Sequence, residues 1–415
     1  MREMKDSGIE WIGDIPVYWK IMPNKYLMRK EKKICPVYHG EDILSLTMKG
    51  VIVRDLDAGG KMPASFDGYQ RLEAGNLLMC LFDIDVTPRC VGLIKQAGVS
   101  SPAYSQFVLR KGADAAYYCY YYTMLDNDKT LLHLAKNLRH SLTEDQLGAI
   151  PVIVPPIEEQ QRIANFLDAK CAEIDALTAD IQTQIDTLEQ YKRSVITETV
   201  TKGLNLNAEM KDSGIEWVGQ MPSSWSIVPN KYLMYKIKSV CPVYNGENIL
   251  SLTTNGVIIR DLNGGGKMPT SFDGYQKVVP GNLLMCLFDI DVTPRCIGLI
   301  KNFGLTSPAY SQFVMKDGAY APYYYYYYLM VDYTKELLHM AKNLRHSLTE
   351  DQLGAIKAPK PPYDEQIQIA EYLDNKCSKI GRTIADKNNQ LAILEEYKKS
   401  LIFEYVTGKK EVPTS

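Results

Sequence analysis

Residues 135–150 read Ala-Lys-Asn-Leu-Arg-His-Ser-Leu-Thr-Glu-Asp-Gln-Leu-Gly-Ala-Ile, and residues 341–356 repeat this stretch without a change. The same offset of 206 residues relates the Met-Lys-Asp-Ser-Gly-Ile-Glu-Trp segments at 4–11 and 210–217. At this offset, 108 of the 148 positions in 3–150 are identical, against 23 of the 57 positions in 151–207. The chain is therefore a tandem duplication of one unit, whose second part has diverged more than its first.

The composition is that of an ordinary globular protein. Of the 415 residues, 46% are hydrophobic and 23% are charged, which excludes intrinsic disorder, collagen and a coiled coil alone. We expect no membrane span, because no apolar run is long enough, and the charged N-terminus does not resemble a signal peptide. Nine cysteines without Cys-x-x-Cys spacing favour a reducing cytoplasm over a disulfide scaffold or a zinc site. The net charge of −2 does not by itself suggest nucleic acid as a partner.

The first part of each unit reads as a mixed α and β domain. Short apolar runs alternate with turns rich in Gly and Pro, which predicts strands. The runs in the first copy are Asp42–Thr47, Asn76–Phe82, Cys90–Lys95 and Ala103–Leu109. Residues 117–138 predict one helix, and Ser141 to Glu144 predicts a capping box at the start of the next.

The second part of each unit reads as a long helix. Pro155-Pro156 followed by Glu158-Glu159 is a helix start, with proline where no amide hydrogen is needed and acids at the positive end of the dipole. Apolar residues then recur every seven positions, which predicts a coiled-coil seam. The seam residues are Leu167, Ile174, Ile181, Leu188 and Val195 in the first helix and Leu373, Ile380, Leu394 and Leu401 in the second, where Lys387 interrupts the pattern.

Charge indicates how the two helices pair. Residues 151–207 hold 5 basic and 9 acidic residues, whereas 357–415 hold 10 and 9. Packing of the acidic helix on the slightly basic one is one reading, and two solvated helices that pack separately on their own domains are the other. An antiparallel pair would place two similar domains at opposite ends of a spacer, about a pseudo-twofold axis. That arrangement suits duplex DNA with two half-sites.

The family resemblance rests on the repeated openings and on a motif that occurs twice. Residues 155–168 read Pro-Pro-Ile-Glu-Glu-Gln-Gln-Arg-Ile-Ala-Asn-Phe-Leu-Asp, and residues 361–374 read Pro-Pro-Tyr-Asp-Glu-Gln-Ile-Gln-Ile-Ala-Glu-Tyr-Leu-Asp. With the tandem layout, these segments resemble the specificity subunit of type I restriction-modification systems, over essentially the whole chain. The resemblance implies an α+β fold in which two target-recognition domains are joined by two long helices that form an antiparallel coiled coil.

The resemblance also implies domain boundaries and partners. Target-recognition domains are expected at 1–154 and 204–360, spacer helices at 155–203 and 361–407, and a tail at 408–415. The implied partners are double-stranded DNA, two adenine-methylating modification subunits and the restriction subunits, with no membrane. The chain itself would be non-catalytic and bind no cofactor. S-adenosylmethionine is expected on the methyltransferase, and ATP and Mg²⁺ on the restriction subunit.

One departure from the family pattern is informative. In the family the recognition domains usually differ and the helical regions resemble each other, whereas here the domains are the better matched part. We therefore expect two similar half-sites, which form an interrupted and nearly palindromic target. Differences such as Lys49 against Asn255, Asp57 against Asn263 and Glu73 against Val279 could relax this symmetry at one or two base pairs.

Candidate DNA contacts are basic and amide side chains in turns, because such groups bind phosphates and base edges. A basic turn that ends a helix and satisfies its dipole, or a solvated surface, is the alternative for each. The candidates are Lys136, Asn137, Arg139, His140, Lys342, Asn343, Arg345, His346, Arg54, Lys61, Arg89, Arg260, Lys267 and Arg295.

Several further patterns favour structure over chemistry. The tyrosine runs at 117–122 and 323–328 could stack on bases, but residues all around a helix must partly face the core, so we interpret them mainly as scaffold. Gly264-Gly-Gly-Lys267 lacks the spacing of a phosphate-binding loop. Lys360-Pro-Pro-Tyr363 lacks the leading Asn or Asp of a methyltransferase tetrad. A scaffold that assembles partner proteins without DNA remains the alternative function.

Overall fold

A computed structural model of the protein describes residues 2–57, 63–135, 140–264, 268–341 and 346–413. The chain divides into two compact units. The first unit consists of Met1–Ile181 and Asn389–Ser415, and the second of Gln182–Asn388. At the repeat offset, 389–415 corresponds to 183–209 and 1–181 to 207–387. Each unit therefore combines the same parts of the repeat, joined in a different order along the chain.

The elements of the first copy of the repeat follow each other in chain order. They are β1 Met4–Asp6, β2 Asp14–Pro16, β3 Lys20–Pro23, β4 Met28–Glu31, β5 Leu44–Thr47, β6 Gly50–Val53, β7 Gln70–Leu72, β8 Leu77–Met79, β9 Val91–Leu93, β10 Gly98–Ser100, β11 Ser105–Leu109, α1 Ala115–Asn127, α2 Thr130–Leu134, α3 Glu144–Ala149, β12 Pro151–Val154 and α4 Ile157–Lys202.

The second copy repeats this order. Its elements are β13 Met210–Asp212, β14 Gln220–Pro222, β15 Ser226–Pro229, β16 Met234–Ile237, β17 Leu250–Thr253, β18 Gly256–Ile259, β19 Gln276–Val278, β20 Leu283–Met285, β21 Ile297–Leu299, β22 Gly304–Thr306, β23 Ser311–Met315, α5 Ala321–Tyr333, α6 Glu336–Met340, α7 Glu350–Ala355, β24 Lys357–Lys360 and α8 Tyr363–Val406.

The main sheet of the first unit is antiparallel, with strand order β4-β11-β8-β9. Smaller antiparallel pairs surround it, namely β1–β2, β5–β6, β7–β10 and β3–β12. The second unit has the corresponding sheet, β16-β23-β20-β21. The apolar runs predicted as strands are confirmed, since β5, β8, β9 and β11 lie within them.

The prediction of one helix over residues 117–138 is wrong. The helix ends at Asn127, and Lys129 adopts a left-handed conformation with φ of 52° before α2 begins. Buried Asp126 explains the break, because its carboxylate accepts a hydrogen bond from the Cys90 amide (3.0 Å) and from the Lys129 ammonium (3.3 Å). The ammonium also donates to the Thr87 carbonyl (3.2 Å), which fixes this turn on the sheet.

The capping box predicted at Ser141–Glu144 is also displaced. Thr143 caps α3: its hydroxyl accepts from the Gln146 amide (3.2 Å), and the Gln146 side chain accepts from the Thr143 amide (2.9 Å). Buried Leu142 accounts for the shift, because its amide donates to the Leu81 carbonyl (2.8 Å) and so keeps the preceding residues extended. Both spacings satisfy the sequence pattern, and only this tertiary contact distinguishes them.

The long helices pair antiparallel within each unit. In the first unit the Phe166 and Tyr405 rings are 4.5 Å apart, and the Lys398 ammonium lies 2.5 Å from Asp175. In the second unit the Lys376 ammonium lies over the Tyr191 ring (5.3 Å), and Lys387 bonds to Gln184. Of the seam positions, Leu188, Val195 and Leu394 are half-buried and the others are buried: Leu167, Ile174, Ile181, Leu373, Ile380 and Leu401.

The tyrosine runs form the centre of each core, as the scaffold interpretation predicts. Tyr117, Tyr118, Tyr121 and Tyr122 are fully buried and pack edge to face. Their hydroxyls bond to buried groups; Tyr117, for example, donates to the carbonyl of Val406 (2.7 Å). The tyrosines thereby connect the sheet domain to the end of a long helix, which is a structural role.

Two glycines, one within α8 and one just after its end, differ in the space around them. At Gly381 a Cβ atom would meet nothing within 4 Å, whereas at Gly408, with φ of +72°, it would lie 2.7 Å from Trp19 and Pro16. We expect Gly381→Ala to stabilise the protein by about 0.5–1 kcal/mol, because alanine loses less backbone entropy in a helix. Gly408→Ala should instead lower the thermal midpoint. Thermal unfolding of both variants tests this, and a lower midpoint for Gly381→Ala would contradict it.

Candidate nucleic-acid interface

Many of the predicted DNA contacts lie outside the described residues. These are Lys61, Lys136, Asn137, Arg139, Lys267, Lys342, Asn343 and Arg345, and they stay predictions. The remaining candidates, namely His140, His346, Arg54, Arg260, Arg89 and Arg295, lie within the described residues.

His140 and His346 lie against an acidic loop. Each has a left-handed backbone, with φ of 45° and 43°, and a half-exposed side chain. The Nδ1 atom of His140 is 3.0 Å from the Asp85 carboxylate, and that of His346 is 3.0 Å from Asp291. These hydrogen bonds hold the pKa of both carboxyl groups below the usual range. The histidines therefore connect the predicted basic turns to the loops that precede β9 and β21.

These two loops expose apolar side chains. We name residues 82–88 and 288–294 the acidic loops, because each contains two aspartates, Asp83 and Asp85 in the first. Val86 and Val292 are both 73% exposed, and Phe82 is partly exposed. The sequence of the loop is identical in the two copies. Both units therefore present the same exposed valine on a loop of the same sequence.

Arg89 and Arg295 are committed to ion pairs. The Arg89 guanidinium lies 3.4 Å from buried Asp126 and donates to Asn127 (3.0 Å). Arg295 lies 3.8 Å from Asp332 and 5.6 Å from the centre of the Tyr333 ring. Both side chains are only about 15% exposed. This environment favours a structural role for the two arginines.

Arg54 and Arg260 follow a β-hairpin in each unit, β5–β6 and β17–β18. The amide of Arg54 donates to the Ile43 carbonyl (2.7 Å), and that of Arg260 donates to Ile249 (2.7 Å). Both residues are half-buried, and the exposed aliphatic residues of strands β6 and β18 precede them. The sequence indicated the tip pair Lys49 and Asn255 as a difference between the copies, but it did not predict the hairpins that carry them, although Val51-Ile-Val53 after Gly50 was a signal for strand residues.

A cleft of about 1050 Å³ lies within the first unit. It is bordered by the β5–β6 hairpin, by the outer face of α1 and by the helix segments at 168–178 and 391–402. Small side chains line it where the second unit carries bulky ones. The pairs are Cys119 and Tyr325, Thr123 and Leu329, and Asn127 and Tyr333. The corresponding face of α5 is therefore occupied by its own side chains, with Tyr333 beneath the Arg193 guanidinium (5.0 Å).

The repeated Pro-Pro motif fixes the start of each long helix to its domain. Gln160 is fully buried; its side chain accepts from the Asp114 amide (2.8 Å) and donates to the Pro155 carbonyl (2.8 Å). Gln366 makes the same bonds with Tyr320 and Pro361. Glu159 accepts from the Trp19 indole (3.0 Å) and from Arg2 (2.7 Å). The sequence predicted a helix start here but not this buried polar junction.

Two further features, metal-ligand groups and membrane-spanning helices, bear on the kind of site. Within those residues, no group of three or more His, Cys, Asp or Glu side chains is placed to hold a metal ion. None of the helices that the structure describes is long and apolar enough to cross a membrane.

Comparisons with known proteins show which sequences this chain is similar to. Residues 91–187 match the model of the type I restriction modification DNA specificity domain. The type I restriction enzyme MjaVIII specificity subunit of Methanocaldococcus jannaschii is 26% identical over 284 residues, which cover 63% of this chain and 63% of that protein. The putative MjaX specificity subunit of the same organism is 26% identical over 292 residues, covering 66% and 62%.

A solved structure shares the fold. A chain from a study of complex assembly and conformational transition of the type I R-M system superposes with a TM-score of 0.71 at 14% identity, covering 95% of this chain and 99% of that chain. The predicted fold class and the predicted resemblance to type I specificity subunits are confirmed. The alignments span less than two thirds of the length of the two curated relatives.

Proposed function

We propose that this protein is the sequence-specific DNA-binding subunit of a type I restriction-modification complex. In this role it reads a bipartite target and brings two adenine methyltransferase subunits to it. The chain performs no catalysis. S-adenosylmethionine binds to the methyltransferase, and ATP and Mg²⁺ bind to the restriction subunit.

The observation that carries the proposal is the identical exposed surface in the two units. The acidic loop and the histidine bonded to it are the same in both, with the same conformation. Exposed residues away from a binding site tolerate substitution, because they contribute little to stability. Exposed positions elsewhere in the domain have changed, such as Lys111, which corresponds to Asp317. A shared ligand explains why this surface is retained, and two similar DNA half-sites are such a ligand.

Partner docking is supported by apolar side chains on the long helices. Leu177, Tyr191 and Tyr372 are exposed on α4 and α8, and Ile393 and Tyr397 are exposed further along α8. Large exposed apolar residues on a helix otherwise in contact with its own domain indicate a protein interface. In the proposed complex the methyltransferase subunits contact the long helices through these side chains.

Mapping methylated adenines in cells that carry the chain and its methyltransferase tests the proposal. We expect methylation at an interrupted target whose two half-sites are inverted and nearly identical. Two unrelated half-sites would contradict the shared-ligand argument.

Purification of the complex distinguishes the scaffold alternative. A scaffold would assemble the partners, but the complex would bind all duplexes equally. With a specificity subunit, the affinity of the complex for a duplex depends on the target sequence when all duplexes are compared at the same salt concentration. Cofactor binding by the isolated chain would instead support an enzyme.

A further inference from the structure

The β5–β6 hairpin and its counterpart β17–β18 have the same backbone. In the first, Thr47 pairs with Gly50, so that Met48 and Lys49 form a two-residue loop. The Thr47 hydroxyl donates to the Gly50 carbonyl (3.0 Å) and accepts from the Lys49 amide (3.1 Å). The bonds of Thr253 to Gly256 and Asn255 repeat this arrangement. The two tips therefore differ only in the side chains they present.

The base of each hairpin is fixed on the domain. A Cβ atom at Gly92 would lie 2.8 Å from the side chains of Leu46 and Val51, and Gly298 is similarly close to Leu252 and Val257. The Ser100 hydroxyl donates to the Leu44 carbonyl (2.7 Å). These contacts pack the base of the hairpin against β9 and β10.

The second strand of the hairpin and the residues just after it expose apolar side chains in both units. Ile52 and Ile258, Val53 and Ile259, and Leu56 and Leu262 are each about two fifths exposed. The three pairs are identical or nearly so. A rigid two-stranded ribbon is an element that the major groove of DNA, about 12 Å wide, can admit. Its aliphatic residues would contact thymine methyl groups or the apolar edges of bases.

The tip is where the two hairpins diverge. Within residues 43–56 the copies differ at positions 48, 49 and 53, and the last is a change from Val to Ile. The tip residues are exposed, and they read Met48-Lys49 in one unit and Thr254-Asn255 in the other. Glu73 and Val279, another differing pair, have a structural explanation. Glu73 is bonded to Lys33 (2.5 Å), and both partners are replaced in the second unit.

We propose that the hairpin tips read one base pair differently in the two half-sites. Lys49 contacts guanine in one half-site, and Asn255 contacts adenine in the other. The ammonium of lysine donates to the O6 and N7 acceptors of guanine. The amide of asparagine both donates and accepts, which matches the N6 and N7 atoms of adenine. This inference rests on the proposed function and adds to it the position at which an otherwise symmetric target becomes asymmetric.

Exchange of the tips tests the inference in the full chain with its methyltransferase. The wild-type complex should methylate a target whose half-sites differ at one position, G in one and A in the other. Met48→Thr with Lys49→Asn should place A in both, and Thr254→Met with Asn255→Lys should place G in both. In competition binding, each exchange should change the preference between G and A at that position by about 10-fold or more.

Lys20→Ser is the matched control. Lys20 is exposed on β3 and corresponds to Ser226 in the second unit. Its replacement by serine removes the same charge as Lys49→Asn. This variant should keep the wild-type target.

Three results would overturn the inference: wild-type half-sites that agree at every position, tip variants with an unchanged target, or an equal loss of affinity for all four bases. Absence of sequence-dependent methylation and binding in the wild-type complex would instead refute the proposed function.

Discussion

Replacing Glu159 with alanine should destabilise the first unit by about 3–5 kcal/mol, because its removal leaves the buried groups that bond to it without an acceptor. The carboxylate is buried and accepts from the Trp19 indole (3.0 Å) and the Arg2 guanidinium (2.7 Å). Tyr18 also donates to it (3.2 Å), and burial together with this carboxylate raises the pKa of Tyr18. The variant leaves a fully buried indole N–H without an acceptor. Urea unfolding of the full chain, followed by fluorescence, measures the loss.

Two matched variants isolate the cause. Glu158→Ala changes the exposed neighbour in the same helix turn and should alter stability by less than about 0.5 kcal/mol. Glu365→Ala removes the corresponding acceptor in the second unit, where the Trp225 indole donates (2.9 Å) but Ala208 and Ser224 replace Arg2 and Tyr18. Its cost should be about 1–3 kcal/mol. Equal losses for Glu159→Ala and Glu158→Ala would refute the role of the junction.

The repeat made much of this architecture predictable from sequence. A fixed offset and a seven-residue period are long-range patterns, and they indicated two similar domains and two long helices. The junction at Glu159 was not predictable in the same way. Its partners, Arg2 and Trp19, are 157 and 140 residues away in the chain, and no local periodicity connects them.

The local errors have a common physical origin. The break after Asn127 and the shifted cap at Thr143 both arise from hydrogen bonds to backbone groups between β8 and β9. The Asp126 and Lys129 side chains bond to Cys90 and Thr87, and the Leu142 amide bonds to Leu81. Helix propensity and capping patterns depend only on residues that are close in sequence. Tertiary hydrogen bonds decided between alternatives that the sequence left nearly equal.

The sequence predicted the kinds of side chain in the candidate site better than it predicted their positions. His140 and Arg89 were chosen for their chemistry, yet Arg89 is held in an ion pair. The sequence indicated Lys49 and Asn255 as a pair that could differ between the half-sites, but only the structure places both at the tips of hairpins with the same backbone. Basic side chains in turns have similar sequence signatures whether they bind a buried carboxylate or a nucleic acid. Burial distinguishes them, and burial is a property of the fold.

A fragment of residues 1–207 should form a dimer, because the first unit is incomplete without the segment 389–415. In the full chain, Ile402 and Val406 of that segment are buried in the core of the first unit. The fragment contains their counterparts, Ile196 and Val200, at the end of its own helix. Each copy can therefore supply this helix end to the other, where the Tyr117 hydroxyl would bond to a main-chain carbonyl as it does to Val406 (2.7 Å). Sedimentation over a range of concentrations measures the association.

One side chain of the exchanged segment is poorly replaced, and it provides a sharper test. Tyr405 packs on Phe166 with ring centres 4.5 Å apart, whereas the fragment offers Thr199. Thr199→Tyr should restore the aromatic pair and tighten the dimer by roughly 2- to 10-fold. Val200→Asp should prevent association, because it would place an unpaired charge in the core. A folded fragment that stays monomeric at all concentrations, or a Thr199→Tyr variant with no gain in affinity, would show that the helix end is not exchanged in this way.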